Sequence, residues 1–206
     1  MKKKASFLSI VVPLVIMFAS VAQADATDDH WVVRLGAHVV APASDNGRLA
    51  GMRATIGHNV RPTVSVEYLL TTSMGFEVLA AVPFRHDIRL NGMQAATARQ
   101  LPPVIGMNYH FMTNQAVSPF VGIGVNFTRF LSARGEGLLQ GSHVDLDNSW
   151  GPAIHAGVDF RLSSSWIVTA DMRWIDIRST VHVNGVNVGK AKVDPFVYGL
   201  SIGYRF

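Results

Sequence analysis

The sequence predicts an all-β fold: an eight-stranded antiparallel transmembrane β-barrel with short turns on one rim and long loops on the other. Three observations carry this. After residue 24 the chain holds eight stretches in which bulky apolar residues recur at every second position. The connections between them alternate short and long. The final stretch, YGLSIGYRF, runs to the last residue with Tyr198, Leu200, Ile202, Tyr204 and Phe206 on one face and Gly199, Ser201, Gly203 and Arg205 on the other.

Residues 1–24 read as a secretory signal, with Lys2, Lys3 and Lys4 as a basic start, an apolar run from Phe7 to about Val21, and Ala22-Gln23-Ala24 as a small-x-small cleavage site. The run is too short for a retained membrane helix and is interrupted by Ser9 and Pro13. Cleavage after Ala24 leaves residues 25–206 as the barrel and lowers the formal charge from +4 to +1, because three lysines and no acid are removed. No Lys/Arg cluster then remains to match a phosphate backbone, which excludes nucleic acid as a partner. Cysteine is absent, so disulfides do not hold this exported chain together. Hydrophobic content is 49% and mean hydropathy +0.24, yet no later stretch of 18 apolar residues could form a membrane helix. An alternating β pattern reconciles the two.

The predicted strands cover 31–40, about 63–70, 74–84, 104–111, 119–130, 150–161, 166–177, and from about 193 to the end. Short connections fall at 71–73, 112–118 and 162–165; long ones, richer in Gly, Asn, Asp, Arg and Ser, fall at 41–62, 85–103, 131–149 and 178–192. One face of the strands is bulky and apolar and the other mixes glycine with polar and charged residues. Eight strands enclose an interior only just wide enough for side chains, so the mixed face fits inside and the greasy face looks outward into lipid. Strands of this length match what a tilted strand needs to cross a bilayer, and closure removes the unpaired edges that lipid penalises. The expected location is the outer membrane of a Gram-negative bacterium, with short periplasmic turns and long extracellular loops. Phe206 would sit at an interfacial aromatic level and be the feature the barrel-assembly machinery engages.

Several motifs resemble the OmpW family of small outer-membrane proteins: GFEVLAAVPFRH at 75–86, LPPV at 101–104, SPFVGIGVNFTRF at 118–130, DNSWGPAIHAGVDF at 147–160 and VDPFVYGLSIGYRF at 193–206. The resemblance covers nearly the whole mature chain. It implies an eight-stranded barrel whose narrow, largely hydrophobic interior passes small apolar molecules that leave sideways through the wall.

Candidate site residues follow from their positions. Pro83, Pro102 and Pro103 flank one long connection, and proline cannot donate to a strand ladder. They mark either a lateral opening or simply the strand ends. Leu79, Ile167 and Ile175 face inward as an apolar constriction, with Arg173 beside them, and Leu49, Met52 and Ile56 would line an extracellular mouth. Inward charges depart from a greasy tube: Glu67, Glu77, His155, Asp159, Arg161 and Asp171 are expected to form a polar plug in the periplasmic half, against the competing reading of a continuous aqueous pore. His86, His110 and His155 would have to converge to bind a metal, but no ligand spacing stands out, so no metal or cofactor is expected. Ser142, His143 and Asp145 share a long loop without being forced into a triad, and no catalysis is expected. Arg85, Arg89, Arg99, Arg129 and Arg134 are either lipopolysaccharide contacts or ordinary solvated charge. The expected function is passive uptake of small hydrophobic molecules, set against a plugged structural or surface-recognition barrel.

Overall fold

The computed structural model describes residues 30–206, so the proposed signal segment lies outside the described residues. In chain order the strands are β1 (Trp31–Ala41), β2 (Arg48–Leu49), β3 (Met52–Ile56), β4 (Asn59–Leu69), β5 (Met74–Ala81), β6 (Phe84–Leu90), β7 (Met93–Leu101), β8 (Val104–His110), β9 (Val117–Gly135), β10 (Val144–Leu146), β11 (Ser149–Arg161), β12 (Trp166–Ile175), β13 (Arg178–Val183), β14 (Val186–Lys192) and β15 (Phe196–Arg205). Eight of them, β1, β4, β5, β8, β9, β11, β12 and β15, pair antiparallel in that order. The ring closes where β15 returns to β1, from Val32↔Arg205 to Ala41↔Phe196.

Alternation decides what each wall shows. Outward residues are large and uncovered, Ile123 being 70% exposed, Leu200 66% and Leu35 59%. Only a hydrocarbon surround makes that arrangement favourable, and closure leaves it no open edge. Aromatic pairs mark both borders of this band. Near the short turns stand Trp31 with Tyr68 at 4.8 Å, Tyr109 with Phe111 at 4.9 Å and Trp166 with Tyr204 at 5.0 Å; near the opposite rim Phe127 meets Trp150 at 4.5 Å.

The long connections are not loops. They fold into a second antiparallel sheet, β10-β13-β14-β2-β3-β6-β7, continued onto the upper half of β9, which runs five residues beyond its expected end at 130. Alanine holds many of the inward positions on this sheet, such as Ala54, Ala96 and Ala98, so the period-two signal was faint. The tight turns were visible as dipeptides: Asn91-Gly92 and Asn184-Gly185 both have positive φ at both residues, the geometry of a two-residue hairpin turn. The stretch expected as one strand over 74–84 is also divided, ending as β5 at Ala81 and resuming as β6 at Phe84. Because every barrel strand is paired on both sides, the folded barrel should resist dodecyl sulfate until boiled. Unboiled and boiled samples will migrate at different positions on a detergent gel, whereas one common mobility would contradict closure.

Candidate functional site

Inside the barrel the side chains form storeys. At the periplasmic end Val32, Leu69 and Ile167 make a small apolar ring. Above it lies a buried ionic network. Arg34 donates to Glu67 at 2.7 Å, to Asp159 at 3.1 Å and to the Thr169 hydroxyl at 3.1 Å. Glu67 also accepts from His110 at 2.8 Å and Asn108 at 2.9 Å. A second group centres on Arg173, which grips Glu77 with both terminal nitrogens at 2.9 and 3.1 Å and gives Nε–H to Asp171 at 2.8 Å. Asp171 meets His38 at 3.1 Å, and His38 meets Thr63 at 2.7 Å. His155 links the groups through the Asn108 amide oxygen at 2.7 Å, and Phe120 packs between the rings of His110 and His155.

Ions withdrawn from water require such partners, because desolvation otherwise exceeds the attraction. Glycines on the neighbouring strands supply the room. A methyl group at Gly75 would overlap the Glu67 carboxylate, and one at Gly199 would overlap the His38 ring. The bare face of the C-terminal strand is therefore the space that side chains of its paired neighbours fill, His38 and Arg34 of β1 standing directly opposite Gly199 and Gly203.

Of the residues expected in a plug, Glu67, Glu77, His155, Asp159 and Asp171 enter this network. Arg161 does not: it is the last residue of β11, exposed at the rim, where it donates to the Thr113 carbonyl. Arg173, expected beside the apolar constriction, is instead a hub of the network. Nor is the network confined to the periplasmic half, since Arg173 lies only two residues from the end of β12 that adjoins the second sheet. Arg34, His38, Asn108 and His110 were missed as members. Their inward parity was legible, but nothing in one strand names its partner across a lumen.

Above the network Leu79 and Ile175 join Phe84, Val104, Ile177 and Val193 in an apolar cluster. Ile167 does not join them. It stands eight residues from Ile175 along the same strand, roughly 26 Å away. Higher still, within the second sheet, Leu49 and Ile56 line a cavity of about 20 Å³ with Ala98, Phe130 and Leu146, and Met52 packs beside it against the cluster of Leu49, Ala54 and Leu90. The three histidines do not converge: His110 and His155 lie in the network, while His86 faces this upper cavity. Ser142 is carried on the outer surface beside His143, whose ring bonds Asp145 at 2.7 Å in the open.

The prolines coincide with a seam. Pairing of β5 with β8 ends at Leu79↔Val104, and pairing of β6 with β7 begins at Phe84↔Gln100. Between them residues 80–83 and 101–103, which include Pro83, Pro102 and Pro103, have no ladder partner across the seam. Each side is tied to its outer neighbour instead, Val82 N to the Pro62 carbonyl at 3.2 Å and Phe127 N to the Pro103 carbonyl at 3.1 Å.

The sequence profile of the OmpW family matches residues 28–206. The chain belongs to the OmpW family. Among its relatives is the outer membrane protein W of Vibrio cholerae, 30% identical over 191 residues and covering 85% of this chain and 88% of that protein. The "Dibenzothiophene metabolism operon protein PahQ" of Pseudomonas aeruginosa is 27% identical over 194 residues, covering 88% and 90%. The crystal structure of the outer membrane protein OprG of Pseudomonas aeruginosa is similar at a TM-score of 0.74 and 29% identity, covering 85% of this chain and 95% of that one. This OmpW-family protein is accordingly an outer-membrane barrel of a Gram-negative bacterium.

In this OmpW-family barrel the upper cavity has one polar corner. His86 Nδ1 lies 2.7 Å from the Gly57 carbonyl, so that nitrogen carries the proton, and Nε2 accepts from the Gln100 amide at 3.2 Å. Burial pushes His86 below its ordinary pKa, with the Gly57 bond opposing. The unfolded segment therefore binds a proton more readily than the folded one, and stability contributed here is present above the ordinary histidine pKa of about 6.5 and lost as pH falls below it. Hydrogen exchange of the β6–β7 amides, corrected for intrinsic rates, should speed up from pH 7 to pH 5, and His86→Gln should flatten that dependence. Replacing Arg34 by Met leaves Glu67 and Asp159 buried without their cation, so the unfolding free energy in lipid vesicles should fall by about 3–5 kcal/mol. A loss under about 1 kcal/mol, the value of an exposed pair, would mean that these carboxylates are solvated.

Proposed function

We propose that the barrel is a passive channel for small hydrophobic molecules, which enter at the extracellular mouth by Leu49, Met52 and Ile56 and leave sideways into the membrane through the seam at Pro83, Pro102 and Pro103. The observation that carries this reading is the coincidence in height of two features. The ladder is interrupted next to Leu79 and Phe84, members of the apolar cluster directly above the ionic network. An apolar solute descending the lumen meets buried charge that offers it nothing, and the adjacent wall is the part without a continuous ladder.

The route is downhill from water into hydrocarbon and needs no cofactor or energy source. The cavity of about 20 Å³ is smaller than such a solute, so passage requires lining side chains such as Ile56, Phe130 and Val193 to swing aside. A relative named for a dibenzothiophene metabolism operon supports apolar aromatic compounds as the solute class. The same small cavity favours a second reading, a plugged barrel that stabilises the envelope or presents its outer surface for recognition.

Uptake of one small apolar and one polar solute of similar size, compared in cells with and without the barrel at matched folded levels, separates the readings. The channel predicts selective gain for the apolar solute. Leu79→Asp should abolish that gain, and replacing Pro102 and Pro103 by Ala should reduce it severalfold by allowing the ladder to close. Gain for the polar solute would indicate an aqueous pore, and gain for neither would favour the structural role.

A further inference from the structure

The outer face of the second sheet carries a charge pattern that neither closure nor transport requires. Alternation along β6 buries Phe84, His86 and Ile88 and turns Arg85, Asp87 and Arg89 outward. In register, Arg85 stands directly opposite the exposed Arg99 of β7. On β9, Ser132 opposes Arg99 and Arg134 opposes Thr97, which puts Arg134 on the diagonal from Arg99. Like charges placed directly opposite destabilise a strand pair, and diagonal neighbours remain within reach of long side chains.

The chain does little to neutralise this group. Arg85 reaches the Glu136 carboxylate at 3.8 Å, but Glu136 already accepts from Gln94 and Thr97. The side chains of Arg89, Arg99 and Arg134 make no hydrogen bond or ion pair with any described residue. Arg34 and Arg173, by contrast, hold their carboxylates at 3.1 Å or less.

The height of the group is informative. Arg99 is two residues beyond Leu101, at the top of the barrel wall, and the wall below shows Val82, Ile105 and Val125 each about half exposed. The guanidinium groups thus stand where a lipid-facing wall gives way to water. We propose that Arg85, Arg99 and Arg134 form a binding site for the phosphate groups of outer-leaflet lipopolysaccharide, whose acyl chains lie along the Val82, Ile105 and Val125 wall. A phosphate bridging Arg85 and Arg99 replaces their repulsion with charge-assisted, two-pronged hydrogen bonds, and the hydrocarbon beneath supplies the apolar contact that a free anion lacks. This site depends on the outer-membrane location and not on the transport reading.

The folded full-length barrel in a zwitterionic detergent is titrated with lipopolysaccharide, with the same lipopolysaccharide stripped of its lipid phosphates, and with inorganic phosphate, and affinity is read from the rise in unfolding temperature. Phosphorylated lipopolysaccharide should bind most tightly, and less so at high salt. Arg85→Gln, Arg99→Gln and Arg134→Gln together should weaken it roughly a hundredfold, as about 1 kcal/mol per arginine near an anionic surface implies. Lys190→Gln with Lys192→Gln, on the distant β14, should leave affinity unchanged. Heat-modifiable mobility verifies that each variant is folded; should the triple variant fail to fold, Arg99→Gln alone should weaken binding while Arg99→Lys retains part of it. Equal binding of the stripped lipid, equal competition by inorganic phosphate, or arginine variants that bind like the unaltered barrel would each overturn the proposal.

Discussion

A small barrel in lipid must turn its apolar side chains outward, and what remains for its interior is the set of side chains that water normally holds. With eight strands there is no space for enough water to do so. The interior is therefore solvated by itself: Arg34 and Arg173 act as fixed cations around which Glu67, Asp159, Glu77 and Asp171 are arranged, with His38, Asn108 and His110 filling the remaining bonds. Other features follow from this. The glycines at 75 and 199 leave volume for the Glu67 carboxylate and the His38 ring, and the middle of the lumen is lined by buried polar and charged groups.

The second sheet solves a different problem. Above the membrane the wall is surrounded by water, so apolar residues return to the inside, and Leu49, Ala54, Ile88 and Ala98 form an interior like that of a soluble protein. The strand β9 belongs to both regimes. Its inward residues pass from Phe120, Asn126 and Thr128 in the lumen to Ala133 in the upper interior. The change of parity that this requires is absorbed by the irregularity opposite Arg99 and Gln100. The prolines lie at this border, where the wall changes its surroundings and the ladder is weakest.

Much of the barrel was legible along the chain because a wall that is greasy on one side has period two, and all eight barrel strands appear near their expected positions. Glu67, Glu77, Asp159 and Asp171 were recognisable as buried acids for the same reason: their parity placed them opposite the lipid face. The hairpins at Asn91-Gly92 and Asn184-Gly185 could have been found from their turn residues, but their strands, built on alanine and polar residues, lack the contrast that period two needs.

What the sequence determined by itself was parity, span and closure, since each depends only on neighbours a few positions apart and on the requirement that lipid meet no unpaired backbone. What only the tertiary structure decided was partnership. That Arg34 joins Asp159 across 125 positions, that Arg173 leaves the apolar constriction for Glu77, that Ile167 stands apart from Leu79 and Ile175, and that Arg85 faces Arg99 are outcomes of register and strand stagger. Stagger is set by closing the whole ring at once, and no single strand carries that information.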